Sequence, residues 1–243
     1  MGRGFYNVYD DEQRAHAYAE LGFPGTYYLA FRDLPRLFAK HVIGRRSLDF
    51  GCGTGRSTRF LRDLGFEVVG VDISRPMLEK AREFDPSGDY RHVSDGDLGC
   101  LETDAFDLVL SAFTFDNIAT LAKKQSALVS MKRLLGEGGR IVSVVSSPEI
   151  YLNEWASFST RDYPQNREAR SGDRVFIVML DVTDRRPVED VLCADEDYKK
   201  LYRRAGLSVV ETLRPLATGS EPIDWKSETE IAPWVIYVLG ADA

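Results

Sequence analysis

A glycine-rich turn between a buried strand and an amphipathic helix is the feature that most constrains this chain. Residues 47–58 read Ser-Leu-Asp-Phe-Gly-Cys-Gly-Thr-Gly-Arg-Ser-Thr. Residues 48–50 have the pattern of a buried strand end, and Phe60, Leu61 and Leu64 recur at helical spacing. Glycines are needed where the backbone turns with positive φ, or where a ligand approaches closer than a Cβ permits. The segment therefore predicts a strand, a glycine loop and a helix, with a ligand across the loop.

The spacing of the glycines separates two classes of nucleotide ligand. A dinucleotide site uses G-x-G-x-x-G and places a pyrophosphate on the helix N-terminus. Here the third glycine, Gly55, comes one place early and Arg56 follows it. A second apolar strand, 66–71, ends in Asp72, about twenty residues after the first glycine, where a carboxylate can bind a ribose. The pattern therefore favours a nucleoside with two free ribose hydroxyls over a dinucleotide.

Together with the segments that follow, these motifs resemble the class I S-adenosylmethionine-dependent methyltransferases. Residues 48–58 are similar to the first motif of that family, and residues 68–74 are similar to its second motif. One G-x-G-x-G is a weak signal, but several segments in the family's order are a strong one. Further segments that resemble the family's third strand, fourth strand, fifth strand with its preceding helix, and closing helix and strands are 92–101, 106–118, 134–145, 196–212 and 234–240.

The resemblance implies an α/β fold, with a Rossmann-like seven-stranded, mostly parallel sheet and helices on both faces. Strands and helices alternate from 46 to 145, which also predicts parallel pairing through right-handed crossovers. A chain of 243 residues fits a single domain. We divide it into an N-terminal helical lid (1–45), a cofactor-binding core (46–145), a β insertion after strand five (146–192), and a last helix with closing strands (193–243).

The lid and the insertion are expected to border the ligand crevice. In the lid, Asp10 or Asp11 can cap a first helix that runs to about Leu21, and Thr26 can cap a second that is kinked at Pro35. The lid tyrosines would close the site or, alternatively, only pack the helices onto the domain. The insertion has β character at 174–180 and 188–192. It stands over the crevice, where it can shape an acceptor pocket; alternatively, it forms a dimer interface or is an addition without a role in the site.

Composition narrows the classes of partner. The formal net charge is −7, which leaves no basic footprint for nucleic acid and makes a small molecule the expected acceptor. The three cysteines are far apart and suggest neither a disulfide framework nor a zinc site, so we expect a cytoplasmic protein. The apolar runs are far too short to span a membrane. A monomer and a homodimer remain equally open.

The resemblance names S-adenosylmethionine as the cofactor and implies which residues bind it. Asp72 would accept both ribose hydroxyls, while Arg32 would pair with the methionine carboxylate or, alternatively, with Asp33 or Glu20 at the surface. The segment 95–97 would lie near the adenine or form only a turn. The complete set of expected cofactor-binding residues is Tyr28, Arg32, Asp49, Gly51, Gly53, Gly55, Asp72, Ile73, Met77, Asp95, Gly96, Asp97 and Ser111.

Methyl transfer from a sulfonium makes few demands on catalytic side chains. The enzyme chiefly aligns the acceptor and excludes water, and a base is needed only when the acceptor is protonated or weakly nucleophilic. His16 and Asp116 are the candidate bases; alternatively, His16 is a solvated helix residue and Asp116 caps the next helix. No carboxylate cluster for a metal ion is evident. The expected acceptor-binding residues are Tyr9, Tyr27, Phe113 and Asn117.

Three functions remain compatible with the sequence. The first is a methyltransferase acting on nitrogen or oxygen of a small molecule, and the second is an NAD(P)-type oxidoreductase, which the glycine spacing disfavours. The third is a protein that binds S-adenosylmethionine without turnover. The segment Ser111-Ala112-Phe113-Thr114 lacks the prolines of the amino-DNA and glutamine methyltransferases, which disfavours those substrates.

Overall fold

A seven-stranded sheet organises the computed structural model, which describes residues 11–19, 21–94 and 97–242. Its strand order is β3-β2-β1-β4-β5-β10-β9, and β10 runs in the direction opposite to the other six strands. The predicted Rossmann-like sheet is therefore confirmed. The strands are β1 (Arg46–Phe50), β2 (Glu67–Asp72), β3 (Asp89–His92), β4 (Phe106–Ala112), β5 (Leu135–Ser146), β6 (Phe158–Ser159), β7 (Arg174–Met179), β8 (Val188–Val191), β9 (Leu207–Leu213) and β10 (Trp234–Ala241).

Helices cover both faces of this sheet because successive side chains of its strands point to opposite faces and are apolar on both. Along β4, Leu108 and Leu110 belong to one core and Val109 belongs to the other. Full burial of each such side chain contributes about 1.5–3 kcal/mol. The helices are α1 (Glu12–Ala19), α2 (Gly25–Arg32), α3 (Leu34–His41), α4 (Arg56–Asp63), α5 (Arg75–Phe84), α6 (Leu121–Leu134) and α7 (Asp195–Arg204).

Two expected features of the N-terminal helices were wrong. Thr26 does not cap a helix, since α2 begins at Gly25 and the cap position is Pro24. Thr26 is instead fully buried, and its hydroxyl donates to the carboxylate of Glu228 at 2.6 Å. The single kinked helix is two helices, because Asp33 ends α2 and precedes α3. Pro35 lies in the first turn of α3, where its missing N–H costs nothing.

The insertion forms a small antiparallel sheet of its own, in the order β6-β7-β8. The two predicted strands are present as β7 and β8, while the two-residue β6 was too short to predict. Val175, Ile177 and Met179 face inward along β7 and join the core that also contains α2 and α3. The insertion therefore packs onto the lid face of the domain.

The first helix connects this insertion to the cofactor-binding core. Helix α1 packs against α5 on one side. On the other side Arg14, which is 3% exposed, donates to the Asp184 carboxylate at 3.2 Å and to the Arg186 and Pro187 carbonyl oxygens at 2.9 and 3.3 Å. Outside this contact, Arg186 pairs with Asp11 at 3.0 Å. Helix α1 thus spans the gap between the turn that joins β7 to β8 and the core.

Candidate active site

The glycine loop after β1 turns through three left-handed residues, Gly51, Gly53 and Gly55, with φ of 75°, 53° and 76°. A Cβ on Gly51 would lie 2.2 Å from the hydroxyl of Thr114, and one on Gly55 would lie 2.5 Å from the hydroxyl of Tyr90. These two glycines are therefore required by the protein's own packing. A Cβ on Gly53 would meet only the methyl of Met77, at 3.6 Å. Gly53 is thus the glycine beside which a ligand has room.

A carboxylate is held beside that open glycine. Asp72, the last residue of β2, accepts the N–H of Gly53 at 2.8 Å with one oxygen and the N–H of Ser74 at 2.8 Å with the other. Ser74 also caps α5 by accepting the N–H of Met77 at 3.4 Å. Met77 is buried, whereas Ile73 is 45% exposed at the same edge of the sheet. Asp72 is therefore placed where a nucleoside lying over Gly53 would present its ribose.

A second carboxylate lies beneath the loop. Asp49 is fully buried, and one oxygen accepts the hydroxyls of Ser57 and Thr58 at 2.7 and 2.6 Å. The other oxygen is buried without a hydrogen-bond partner among the described residues. Burial raises the pKa of Asp49 to about 6, although the two hydroxyls oppose the shift. Asp49 has a buried oxygen without a donor, Gly53 leaves room for a ligand, and Asp72 can accept ribose hydroxyls. These features fit a nucleoside that also carries hydrogen-bond donors, as S-adenosylmethionine does.

The side chains of Asp97 and Ser111, which were also expected to bind the cofactor, make no hydrogen bond to the glycine loop. Asp97 is exposed and accepts the N–H of Gly99 at 2.8 Å, which favours the alternative that the segment 95–97 forms only a turn. Residues 95–96 lie outside the described residues. Ser111 is buried in the row Ser111, Ser143 and Tyr237 across β4, β5 and β10. Tyr237 belongs to the core under α6 and α7, so the Ser111 side chain points away from the lid face. Any contact of Ser111 with the cofactor would then be through its backbone.

Arg32 is engaged elsewhere. Its guanidinium donates to the Asp33 carboxylate at 2.9 and 3.1 Å, to the Leu216 carbonyl at 3.1 Å and to Glu221 at 3.4 Å. It lies 6.0 Å from the ring centroid of Tyr28, so these two residues share a side of α2 as expected. A methionine carboxylate would have to displace these partners. The structure therefore favours the surface pairing with Asp33; Glu20, the other partner considered, lies outside the described residues.

Arg56 lies beside the site, and its buried position was not predicted from the sequence. Although it opens α4, it is only 7% exposed, and it donates to the carbonyl of Gly22 at 2.7 Å and to the hydroxyl of Tyr18 at 2.9 Å. A cation in the first turn of a helix opposes the helix dipole, and this was the available signal that the residue has another role. Its guanidinium carbon lies 4.8 to 6.0 Å from the ring centroids of Tyr18, Phe23, Tyr27, Phe31 and Phe113.

A cavity adjoins this arginine, between the lid, the turn after β4 and the insertion. Three of the expected acceptor-binding residues, Tyr27, Phe113 and Asn117, line it together, and Tyr9 lies outside the described residues. His16 is exposed on α1 and does not line the cavity. The remaining lining residues are Tyr18, Asp116, Ser146, Ile150, Phe158, Ile177, Met179, Val188, Asp190 and Trp234.

Two buried carboxylates, Asp116 and Asp190, belong to the polar part of the cavity wall. Asp116 accepts the N–H and the hydroxyl of Ser146 at 3.0 and 2.8 Å, and burial raises its pKa to about 6. It does not cap the next helix, because Thr120 caps α6 by accepting the N–H of Lys123 at 3.1 Å. Asp190 was not predicted. The sequence feature that could have identified it is its position on the inward face of β8, which it shares with the apolar Val188.

A metal site and a membrane-spanning helix are both absent from the described parts of the chain. The His, Cys, Asp and Glu side chains described there form no group of three or more that could hold a metal ion. Likewise, none of the helices described combines the length and the apolarity that crossing a membrane requires.

Comparisons with known proteins agree with this geometry. A family model described as a methyltransferase domain matches residues 48–143. An uncharacterised methyltransferase of Geobacillus thermodenitrificans is 30% identical over 146 residues, which are 58% of this chain and 66% of that protein, slightly under two thirds. Another, of Geobacillus sp. strain WCH70, is 30% identical over 147 residues, which are 58% of this chain and 67% of that protein.

Solved structures extend the likeness to nearly the whole chain. The CcbJ methyltransferase from Streptomyces caelestis superposes with a TM-score of 0.69 at 21% identity, over 98% of this chain and 100% of that chain. An S-adenosylmethionine-dependent methyltransferase from Clostridium acetobutylicum gives a TM-score of 0.64 at 15% identity, over 98% and 100% of the two chains. At these identities the likeness establishes a shared fold.

Proposed function

The chain belongs to the class I S-adenosylmethionine-dependent methyltransferases, and we propose that it methylates a nitrogen or oxygen atom of a small, partly apolar acceptor. The observation that carries this proposal is a wall shared by two sites. Thr114 packs against Gly51 of the glycine loop and donates to the carbonyl of Phe50 at 2.9 Å, while the preceding residue, Phe113, lines the cavity. An acceptor in the cavity would therefore lie next to a nucleoside on the loop.

The chemistry asked of the protein is mainly positioning. S-adenosylmethionine, when bound, supplies a methyl group on a sulfonium, which is already a strong electrophile. Asp72 and Gly53 would bind the nucleoside, and Tyr27, Phe113 and Trp234 give the cavity apolar walls with π-faces that accept nearby positive charge. Helix α1 and the insertion exclude water from the space between them. Alignment of a lone pair with the methyl carbon then accounts for most of the rate.

The acceptor size and the compartment that we predict from the sequence are consistent with this site. The cavity between the lid and the insertion has a volume of only about 40 Å³, which suits a small acceptor group better than a polymer, in keeping with the acidic chain. All three cysteines are free, and Cys100 is exposed, which supports a reducing compartment such as the cytoplasm. A monomer and a homodimer both remain compatible with the proposal.

Titration calorimetry with S-adenosylmethionine tests the cofactor site. Asp72→Ala removes two charge-assisted hydrogen bonds to ribose hydroxyls, at ~1.5–3 kcal/mol each, so its affinity should fall at least about tenfold. Asp72→Asn, which keeps the shape, should lose affinity in the same direction. The matched control is Asp63→Ala, an exposed carboxylate on α4, which should bind like wild type. Unchanged affinity in both Asp72 variants, or tighter binding of NAD than of S-adenosylmethionine, would contradict the proposal.

A further inference from the structure

Asp190 has an unused hydrogen-bonding oxygen at the cavity. The residue is 6% exposed and lines the cavity from β8. One carboxylate oxygen accepts the hydroxyl of Tyr151 at 3.0 Å. The other is buried and has no hydrogen-bond partner among the described residues. Because a buried acceptor without a donor is costly, this oxygen is a place where a ligand can supply an N–H or O–H.

The charges around Asp190 indicate what kind of donor is missing. Asp116, on the turn after β4, faces it and is itself fully buried. Lys124 of α6 is the cation in this group, but it is 0% exposed and donates to the carbonyl of Phe115 beside Asp116. Glu189, on the other side of β8, pairs with Arg174 at 3.1 Å and therefore adds little net charge. Arg56, the other buried cation beside the cavity, lies over the rings of Tyr27 and Phe113. When Asp116 and Asp190 are both ionised, Lys124 offsets only one of the two charges, so this wall of the cavity is short of one positive charge.

The aromatic side chains of the cavity can accommodate a cation that carries an apolar group. Tyr27, Phe158 and Trp234 line the cavity, and their ring centroids lie 5.0 to 6.1 Å from one another. An ammonium group is stabilised over such π-faces as well as by a carboxylate. A neutral alcohol or phenol could donate to Asp190, but it would leave the charge deficit unfilled. The charge count therefore favours an amine over a hydroxyl acceptor.

We infer, on the basis of the proposed function, that the acceptor is a primary or secondary amine that binds as its ammonium ion to Asp190, and that Asp190 accepts a proton from it. An N–H bond of the ammonium breaks, an O–H bond forms on Asp190, and the electron pair stays on nitrogen. When the methyl group is transferred, the N–C bond forms from that pair as the C–S bond breaks, with the bonding electrons passing to sulfur. The product leaves as the N-methylated ammonium, and the Asp190 proton is released to water.

Pairs of amines and alcohols of the same shape test this inference by binding alone. The probes are 2-phenylethylamine against 2-phenylethanol and cyclohexylamine against cyclohexanol, titrated calorimetrically with S-adenosylhomocysteine present. Wild type should bind an amine at least about tenfold more tightly than its alcohol. Asp190→Asn, which can still accept the Tyr151 hydroxyl, should lose that preference, while the exposed control Asp162→Asn should keep it.

The pH profile separates an ion pair from simple packing. In wild type, amine affinity should rise with pH as Asp190 ionises near pH 7. Asp190→Asn should lose this limb of the profile and keep only the effect of Asp116 ionising near pH 6. Tyr151→Phe is a second variant that keeps the carboxylate but removes a hydrogen bond that favours its ionised form, so the limb should move to higher pH. Methylation of the same amines, followed by mass spectrometry, should fall at least tenfold in Asp190→Asn.

The outcomes distinguish this inference from the proposed function. S-adenosylmethionine affinity should be unchanged in Asp190→Asn, because Asp190 lies in the cavity and not on the glycine loop. Equal binding of amine and alcohol, no amine binding by wild type, or methylation of alcohols only would each overturn the assignment of an amine acceptor while leaving methyl transfer intact. The effect of the Asp72 variants on S-adenosylmethionine affinity tests the proposed function instead.

Discussion

At the scale of single residues, the buried carboxylates set how stability depends on pH. Burial, reinforced by the charge of Asp116, raises the pKa of Asp190 to about 7, while the ordinary value of an aspartate is 3.8. Between these two values the folded chain holds a proton at Asp190 that the unfolded chain has lost. Stability from this group is therefore complete below about pH 4, falls as pH rises to about 7, and remains low above it.

Asp190→Asn should remove this pH dependence. Each pKa unit corresponds to about 1.4 kcal/mol, so the variant should be more stable than wild type at pH 8 by about 2–4 kcal/mol, and similar to it at pH 4.5. Urea denaturation at the two pH values measures the difference. The exposed control Asp162→Asn should follow wild type at both. A variant that is less stable than wild type at pH 8 would show that the Asp190 carboxylate is stabilising when charged.

The residues that sequence could predict are those whose role is local. Gly51, Gly53 and Gly55 adopt left-handed φ within one strand-loop-helix unit, Asp72 ends the next strand, and their spacing alone indicated a nucleoside site. Arg56 and Asp190 act across the fold. Arg56 contacts residues more than thirty positions away, and Asp190 faces Asp116 from a separate sheet. Neither relation leaves a periodic or spaced pattern in the sequence.

At the scale of elements, the buried arginine of α1 holds the lid to the insertion. Arg14→Met keeps the length of the side chain but removes three hydrogen bonds, two of them to backbone carbonyls of the turn that joins β7 to β8. Hydrogen exchange should then become faster in α1 and in this turn, by about tenfold or more, while β1 and β4 keep their protection. The control is Arg161→Met, whose side chain is 80% exposed in the insertion. Unchanged exchange in α1 would show that its packing against α5 is sufficient.

The elements themselves were predictable where apolar periodicity is strong. The strands β1, β2, β4 and β5 and the helix α6 follow from their patterns, since each buries a continuous apolar face. The lid helices were harder because tertiary contacts override the local signals. Thr26 has the side chain of a helix cap, yet Glu228 and Ser157 bind its hydroxyl deep in the core. A contact across 202 positions could not be predicted from the local sequence.

At the scale of the whole molecule, the two halves of the site have different origins. The cofactor half is built by consecutive elements, β1 to α5, so its fold and its position are set by short-range sequence. The cavity that we propose for the acceptor lies between three distant segments: the lid, the turn after β4 and the insertion. Its shape and charge depend on how these segments dock. This division predicts that the acceptor half can be disrupted while the cofactor half remains.

Deletion of residues 1–24 tests that division. The cut removes α1 and stops before α2, whose Leu29 and Ala30 are fully buried and must stay. The sheet should still fold, because its strands pair without α1, and S-adenosylmethionine affinity should remain within about tenfold of wild type, since Asp72 and Gly53 are retained. Methyl transfer to an amine acceptor should fall by at least about 10²-fold, because a loose acceptor is poorly aligned and water enters the cavity. Circular dichroism, calorimetry and turnover measure the three properties on one preparation. Wild-type turnover in the shortened chain would show that α1 does not close the site, and a chain that fails to fold would show that the two halves are not separable.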